Sequence, residues 1–317
     1  MNTYQQPRIN YISQLAILIG GVGVMLVISS FVMILVASNT LHVPLMQVPD
    51  ALNKVENANT ARWLNTAAAF FGLFVPAFIW ARIISRKPFA QIGFNNIVSG
   101  KQVFLVILMS LAAMVLSNSL GELNQVIPMP AKFLAKARQL EKMYDDAVSV
   151  MANMKTTQEY LLSLLVIALC PAIFEEVLFR GSFQQILTNW TKKPWLAILI
   201  TSIVFSAFHG SYFGFLSRAA LGAVLGFIFY YSRNIWLNIL LHFLNNAFIV
   251  TMLYSLSRSG RSITEIEKAS NASLPIFYIW IPLSTMVLVS MFIRFKKESE
   301  RILPATVPEE RDERDLL

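Results

Sequence analysis

Runs of roughly 20 apolar residues, the length needed to cross the hydrocarbon core of a bilayer, recur eight times along this chain. They cover residues 13–38, 63–84, 103–120, 160–179, 195–208, 213–231, 235–256 and 274–293. Inside lipid every backbone polar group must be satisfied by the chain itself, so such runs form helices. The composition agrees: 56% of residues are hydrophobic and only 14% are charged, against about 25% charged in a soluble domain. The expected fold is all-α, a polytopic membrane protein of about eight transmembrane helices. The fifth run is short before its histidine, so its helix either continues past Gly210 or is shielded by neighbours.

The net charge of +8 would point to nucleic acid in a soluble protein. Here the basic residues sit mostly between apolar runs, where they report topology instead. With the N-terminus inside, the inner face collects Arg8, Arg82, Arg86, Lys87, Lys101, Lys192, Lys193, Arg233, Arg294, Lys296 and Lys297. The outer loops hold Lys54, Arg258, Arg261 and Lys268, and one of them, 121–157, conflicts with the rule by carrying Lys132, Lys136, Arg138, Lys142 and Lys155. The expectation is a multi-pass protein of the cell's inner (plasma) membrane with both termini cytoplasmic. The first run is long and lacks a small-residue cleavage site, so it reads as a signal anchor. Arg218, near the start of the sixth run, is expected to snorkel to the interface.

Four regions follow: spans plus an amphipathic loop over 1–157, a core over 158–256, a last span over 257–295 and a disordered cytoplasmic tail over 296–317. In the long loop, Phe133, Ala137, Leu140, Tyr144 and Ala147 recur at helical spacing. That predicts either an amphipathic helix at the interface or a solvated helical hairpin. No internal repeat is present.

The chemistry lies in the fourth run, which is apolar except for Ser163, Glu175 and Glu176 between Leu161 and Phe179, with Arg180 directly after it. An ionisable group at a bilayer centre costs about 2.5–3.5 kcal/mol even on insertion scales. Two adjacent carboxylates therefore imply an intramembrane polar cavity. Consecutive residues point about 100° apart on a helix, so the two acids take different roles. Glu176 and Arg180 are spaced to pair on one face. Glu175 is left free to face the cavity and to act as a general base.

The chain has three histidines, and two of them fall in the runs that follow. Glu175 lies 17 residues before Lys192 and His209 lies 17 after it, so a helical hairpin turning there puts both at one depth. His242 and Asn246 are four apart and share a helix face, as donors to an oxyanion would. His242, however, is only nine residues beyond the Arg233 turn, a mismatch of about 12 Å with Glu175 at 1.5 Å per residue. It closes if the stretch after Gly181 bends or lies along the interface. Each polar residue also has a structural reading, as an interhelical hydrogen-bond donor or a buried pair. His42 falls in a loop with no assigned role. The lone Cys170 excludes an intramolecular disulfide and reads as a small core residue. The small residues Gly214, Ala219, Ala220, Gly222, Ala223 and Gly226 are expected to permit close helix packing. No HExxH, phosphate loop or GxSxG is present.

CPAIFEEVLFRG, FSAFH and HFLNN resemble, in order, the three motifs of the CPBP family, which includes the type II CAAX prenyl endopeptidases and the bacteriocin-processing and immunity-type proteins. Glu175, Glu176 and Arg180 match EExxxR, Phe205 and His209 match FxxxH, and His242 and Asn246 match HxxxN. The resemblance implies an intramembrane endopeptidase, a hydrolase acting on a membrane-associated substrate, either CAAX-like or a peptide precursor. In that picture Glu175 and His209 activate water, His242 and Asn246 stabilise the oxyanion, and Glu176 and Arg180 hold the site together. The resemblance further implies a cavity open to the cytoplasm, with lateral access from membrane lipid. No cofactor is required, although members are often called metalloproteases. Glu175, His209 and His242 could ligate zinc, and the sequence leaves that open. The competing readings are a non-catalytic scaffold or immunity-type binding protein and, last, a proton-coupled transporter.

Overall fold

A computed structural model describes residues 9–259 and 277–303. Its long helices are α1 (Tyr11–Leu41), α2 (Val55–Ile84), α3 (Gly100–Val126), α4 (Ala131–Ala152), α5 (Thr157–Thr191), α6 (Pro194–Phe208), α7 (Phe215–Ser232), α8 (Ile235–Ser259) and α9 (Phe277–Ile302). Every regular element among the described residues is helical. All but α4 and α6 are long and apolar enough to cross a membrane, seven helices in total. Large apolar side chains such as Val27, Phe31, Phe104, Leu199, Met286 and Ile293 point outward. Surface of that kind is matched to lipid, not water. The protein is an all-α polytopic membrane protein.

The expected eighth span is α6, and it is short. Its 15 residues reach about 22 Å, less than the roughly 30 Å core. The helix does not continue past Gly210. It stops because Gly210 turns left-handed, at φ +67°, a conformation that glycine adopts without steric cost. Irregular backbone at membrane depth must be buried in protein. Here the covering element is α4, the amphipathic helix expected in the 121–157 loop, whose Glu141 carboxylate accepts from the Ser211 hydroxyl at 2.9 Å.

Two apolar clusters organise the bundle. One joins α3, α7, α8 and α9 around Met109, Leu225, Leu241 and Phe295. The other joins α1, α2, α5 and Phe205 of α6 around Leu18, Trp80, Val177 and Phe179. Lipid tails are as apolar as these side chains, so shape and polar contacts decide how the helices associate. The small residues of α7 supply the shape. A Cβ on Gly222 would stand 3.0 Å from the Ser202 Cα, and one on Gly226 would stand 2.8 Å from the Ile198 side chain. Helices α6 and α7 meet backbone to backbone there.

Helix α5 is continuous over 35 residues. It contains two wide π-helical turns, Leu164–Leu169 just ahead of Pro171 and Phe179–Gln184 around Gly181. The helix is not interrupted after Gly181, where the second π-helical turn lies. Instead, Gly181 lets α5 lie against Ile92, whose carbonyl a Cβ would approach to 2.9 Å. At the other end of the chain, the tail expected from Lys296 is helical as far as Ile302. Glu298 is held there by Arg301 at 2.7 Å and Ser99 at 2.8 Å, and Ser299 accepts from Gln102 at 2.9 Å. The rest of that tail, 304–317, and the loop carrying Arg261 and Lys268 lie outside the described residues.

Candidate active site

The residues singled out in α5, α6 and α8 converge where the two clusters meet. Glu176 and Arg180 are both fully buried and form an ion pair of 2.8 Å one helical turn apart. Arg180 also donates to the Gly222 carbonyl at 3.0 Å and lies 4.6 Å over the Phe205 ring. Glu176 does more than neutralise Arg180. It accepts from His242 Nδ1 at 2.9 Å and from the Asn238 amide at 3.1 Å. A carboxylate with three donors is the form in which a charge survives burial.

This arrangement decides how the two imidazoles face. Glu176 can only accept, so Nδ1 of His242 carries a proton and Nε2 turns the other way. His209 is set by the same logic, since its Nδ1 lies 2.8 Å from the Phe205 carbonyl. Phe205 is the plate against which both rings rest, with centroids 4.9 Å from His209 and 5.9 Å from His242. The two free Nε2 atoms then point at one oxygen. Glu175 Oε2 is 3.8 Å from His209 Nε2 and 3.9 Å from His242 Nε2. That oxygen is buried and has no hydrogen-bond partner of its own. Separations of 3.8–3.9 Å exceed a direct hydrogen bond and suit a single water between the groups.

Asn246 follows one turn beyond His242 on α8 and accepts from its neighbour Asn245 at 3.3 Å. No hydrogen bond joins it to Glu175, His209 or His242 among the described residues. The donor set of two imidazoles and a carboxylate is the kind that zinc takes. Yet no group of three or more His, Cys, Asp or Glu among the described residues is arranged to hold a metal ion.

The turn before α8 is anchored by side chains that the depth count did not include. Asn234, fully buried, donates to the carbonyls of Asn95 and Ile97 at 3.1 and 3.0 Å, and Ile235 donates to the Gly93 carbonyl at 2.9 Å. The Arg233 turn is thereby docked on the 93–97 loop, where the Asn95 amide also donates to the Arg233 carbonyl at 2.7 Å. The Arg218 guanidinium folds back against the Gly214 backbone and lies 5.0 Å over the Tyr144 ring of α4.

Sequence reasoning missed Asn238 and Gln184. Asn238 had a signal, since Asn238, His242 and Asn246 repeat every four residues along one face of α8. Gln184, which donates to the Gly226 carbonyl at 3.0 Å, had none beyond being a polar residue in the continuation of α5.

Residues 157–248 match the family described as type II CAAX prenyl endopeptidase Rce1-like. No curated protein matches the chain, and no solved structure does. The matched stretch runs from the first residue of α5 to two residues past Asn246 and so contains every residue of the convergent site.

Proposed function

Since residues 157–248 match the family of type II CAAX prenyl endopeptidases described as Rce1-like, we propose that this chain is an intramembrane endopeptidase. It would hydrolyse a peptide bond in a membrane-associated protein or peptide. The observation that carries this reading is the single unpartnered oxygen of Glu175 facing two imidazole Nε2 atoms whose other nitrogens are already committed.

A water between these groups is activated when Glu175 takes one of its protons, with His209 holding it in line. The oxygen attacks the carbonyl carbon of the scissile bond. The tetrahedral intermediate's oxyanion is stabilised by His242 through a protonated Nε2 and by the Asn246 amide, which turns from Asn245 to do so. The proton held by Glu175 passes to the departing amine as the C–N bond breaks. Glu176 and Arg180 touch no reacting atom and fix the orientation of His242. No step runs through a metal.

The test compares protein termini in membranes of cells carrying the wild type with those carrying Glu175→Gln at matched expression. Loss of a general base costs about 10²–10⁴-fold in rate, so new termini are expected only with the wild type. Identical termini with a folded variant and a retained phenotype would instead establish a non-catalytic scaffold or immunity-type binding protein.

A further inference from the structure

The first turns of α4 carry cations without a counter-charge. Residues 131–140 include Lys132, Lys136 and Arg138 and no acid. None of the three forms an ion pair among the described residues, and the Lys136 ammonium donates to the Gln139 amide oxygen at 3.3 Å. The next acid along the helix, Glu141, faces the Ser211 hydroxyl at 2.9 Å with both oxygens. Lys132 and Lys136 are four apart and stand on one face. Arg138 is about 200° round the helix from Lys136.

An apolar cleft runs beside the two lysines. It has a volume of about 430 Å³ and lies between α4 and the loop after His209, with Phe133, Ala137, Leu140, Gly210 and Tyr212 in its lining and Lys136 as its one charged lining residue. The outer flank of α4 is apolar too, since Phe133 and Met143 are 67% and 64% exposed. Chain connectivity sets the depth of this surface. Helix α3 is long enough to cross the membrane and ends at Val126, and α4 begins at Ala131. Five residues of chain span at most about 18 Å. The start of α7 is tied to that same end, where the Leu216 amide donates to Asn124 at 3.0 Å. Lys132 and Lys136 therefore lie near the level at which α3 and α7 leave the hydrocarbon, the layer of lipid headgroups.

We propose that this end of α4 is a binding site for an anionic phospholipid. Lys132 and Lys136 hold its phosphate, and an acyl chain lies across the cleft. Two ammonium groups beside an apolar trough match the two halves of such a lipid at one place. A soluble anion would leave the trough bare, and an apolar peptide would leave the lysines uncompensated. A cavity of this size takes one small molecule, not a folded partner. The site gives Lys132 and Lys136, two of the residues that conflict with the charge rule in 121–157, a role that does not depend on which side α4 faces. It stands whether or not Glu175 is catalytic.

The test is native mass spectrometry of the full-length protein in a neutral detergent with equal amounts of dioleoyl phosphatidylglycerol and dioleoyl phosphatidylcholine. A lysine near an anionic lipid surface is worth about fivefold in binding, so the pair should retain at least about tenfold more phosphatidylglycerol. Lys132→Gln with Lys136→Gln should bring the two lipids level. Arg138→Gln with Lys142→Gln removes the same charge away from the cleft and should leave the preference unchanged. Ala137→Phe fills the cleft and should lower phosphatidylglycerol retention with both lysines in place. If the lysine double variant does not fold, the wild-type preference and its loss in Ala137→Phe remain decisive. Equal retention of the two lipids overturns the site. So does the same loss of preference from both charge pairs, which would mark diffuse attraction to the whole helix. Displacement of phosphatidylglycerol by an equal concentration of inorganic phosphate would assign the lysines to a soluble anion, and a dimer that Ala137→Phe dissociates would assign the cleft to a second copy; either result overturns the lipid.

Discussion

The ion pair behind His242 can be tested quantitatively by replacing Arg180 with methionine, which keeps most of the side-chain volume. Glu176 then loses its only cationic neighbour at 2.8 Å, and the Gly222 carbonyl loses a donor at 3.0 Å, both in a fully buried setting. Removing one partner of a buried pair costs about 3–5 kcal/mol, and a stranded buried acceptor costs about 1–3 kcal/mol. Glu176 keeps its contacts with His242 and Asn238, which trims the total to about 4 kcal/mol. At roughly 2 °C per kcal/mol for a chain of this size, the melting temperature should fall by about 8 °C. The assay is a thermal scan of the detergent-solubilised protein by tryptophan fluorescence at one fixed scan rate, because membrane proteins rarely unfold reversibly. The informative arm is the double variant Glu176→Gln with Arg180→Met. Glutamine strands no charge and still accepts from His242, so about half of the lost stability should return. Turnover should not return in full, since a neutral amide oxygen holds His242 more weakly than the carboxylate does. Wild-type stability of Arg180→Met, or a double variant no more stable than that single one, would refute the argument.

Three further outcomes follow from the same geometry. Chelator treatment is expected to leave peptide turnover unchanged, because Glu175, His209 and His242 are not arranged as a metal set; loss of turnover that zinc alone restores would show otherwise. Gly222→Leu should force α6 away from α7 at the Ser202 contact, costing about 1–3 kcal/mol as overpacking, measured in the same thermal scan. In a Cys170→Ser background, Lys136→Cys on α4 should react with an impermeant maleimide in intact cells, and Lys193→Cys only after permeabilisation, if the end richer in lysine and arginine is cytoplasmic.

Much of the site was legible because helical hairpins preserve depth. Glu175 and His209 could be placed together by counting from Lys192, and the spacing of His242 and Asn246 put them on one face. The contact between Glu176 and His242 was not legible. It depends on where the Arg233 turn docks, and there Asn234 reaches the carbonyls of Asn95 and Ile97 across 139 and 137 positions of sequence. Apolar runs report which segments cross the membrane, but not their vertical offset. The contact of Arg218 with the Tyr144 ring of α4 was not legible either, because it depends on how α4 folds over the start of α7.

The structure also sets two expectations from sequence against each other. The loop after His209 lies at the same end of the bundle as α4, through Ser211 with Glu141 and Arg218 with Tyr144. The Arg233 turn docks on the 93–97 loop at the opposite end, and Lys101 and Arg301 join Glu298 there. By the distribution of basic residues that second end is expected to be cytoplasmic, which would put the α4 cleft outside. The family resemblance implies a cavity open to the cytoplasm. Both hold only if substrate enters from between the helices and not through the α4 end. Labelling of Lys136→Cys from outside, together with cleavage of a cytoplasmic substrate, would require that lateral route. Labelling only after permeabilisation would place both termini outside and leave the basic residues of α4 as the true inside signal.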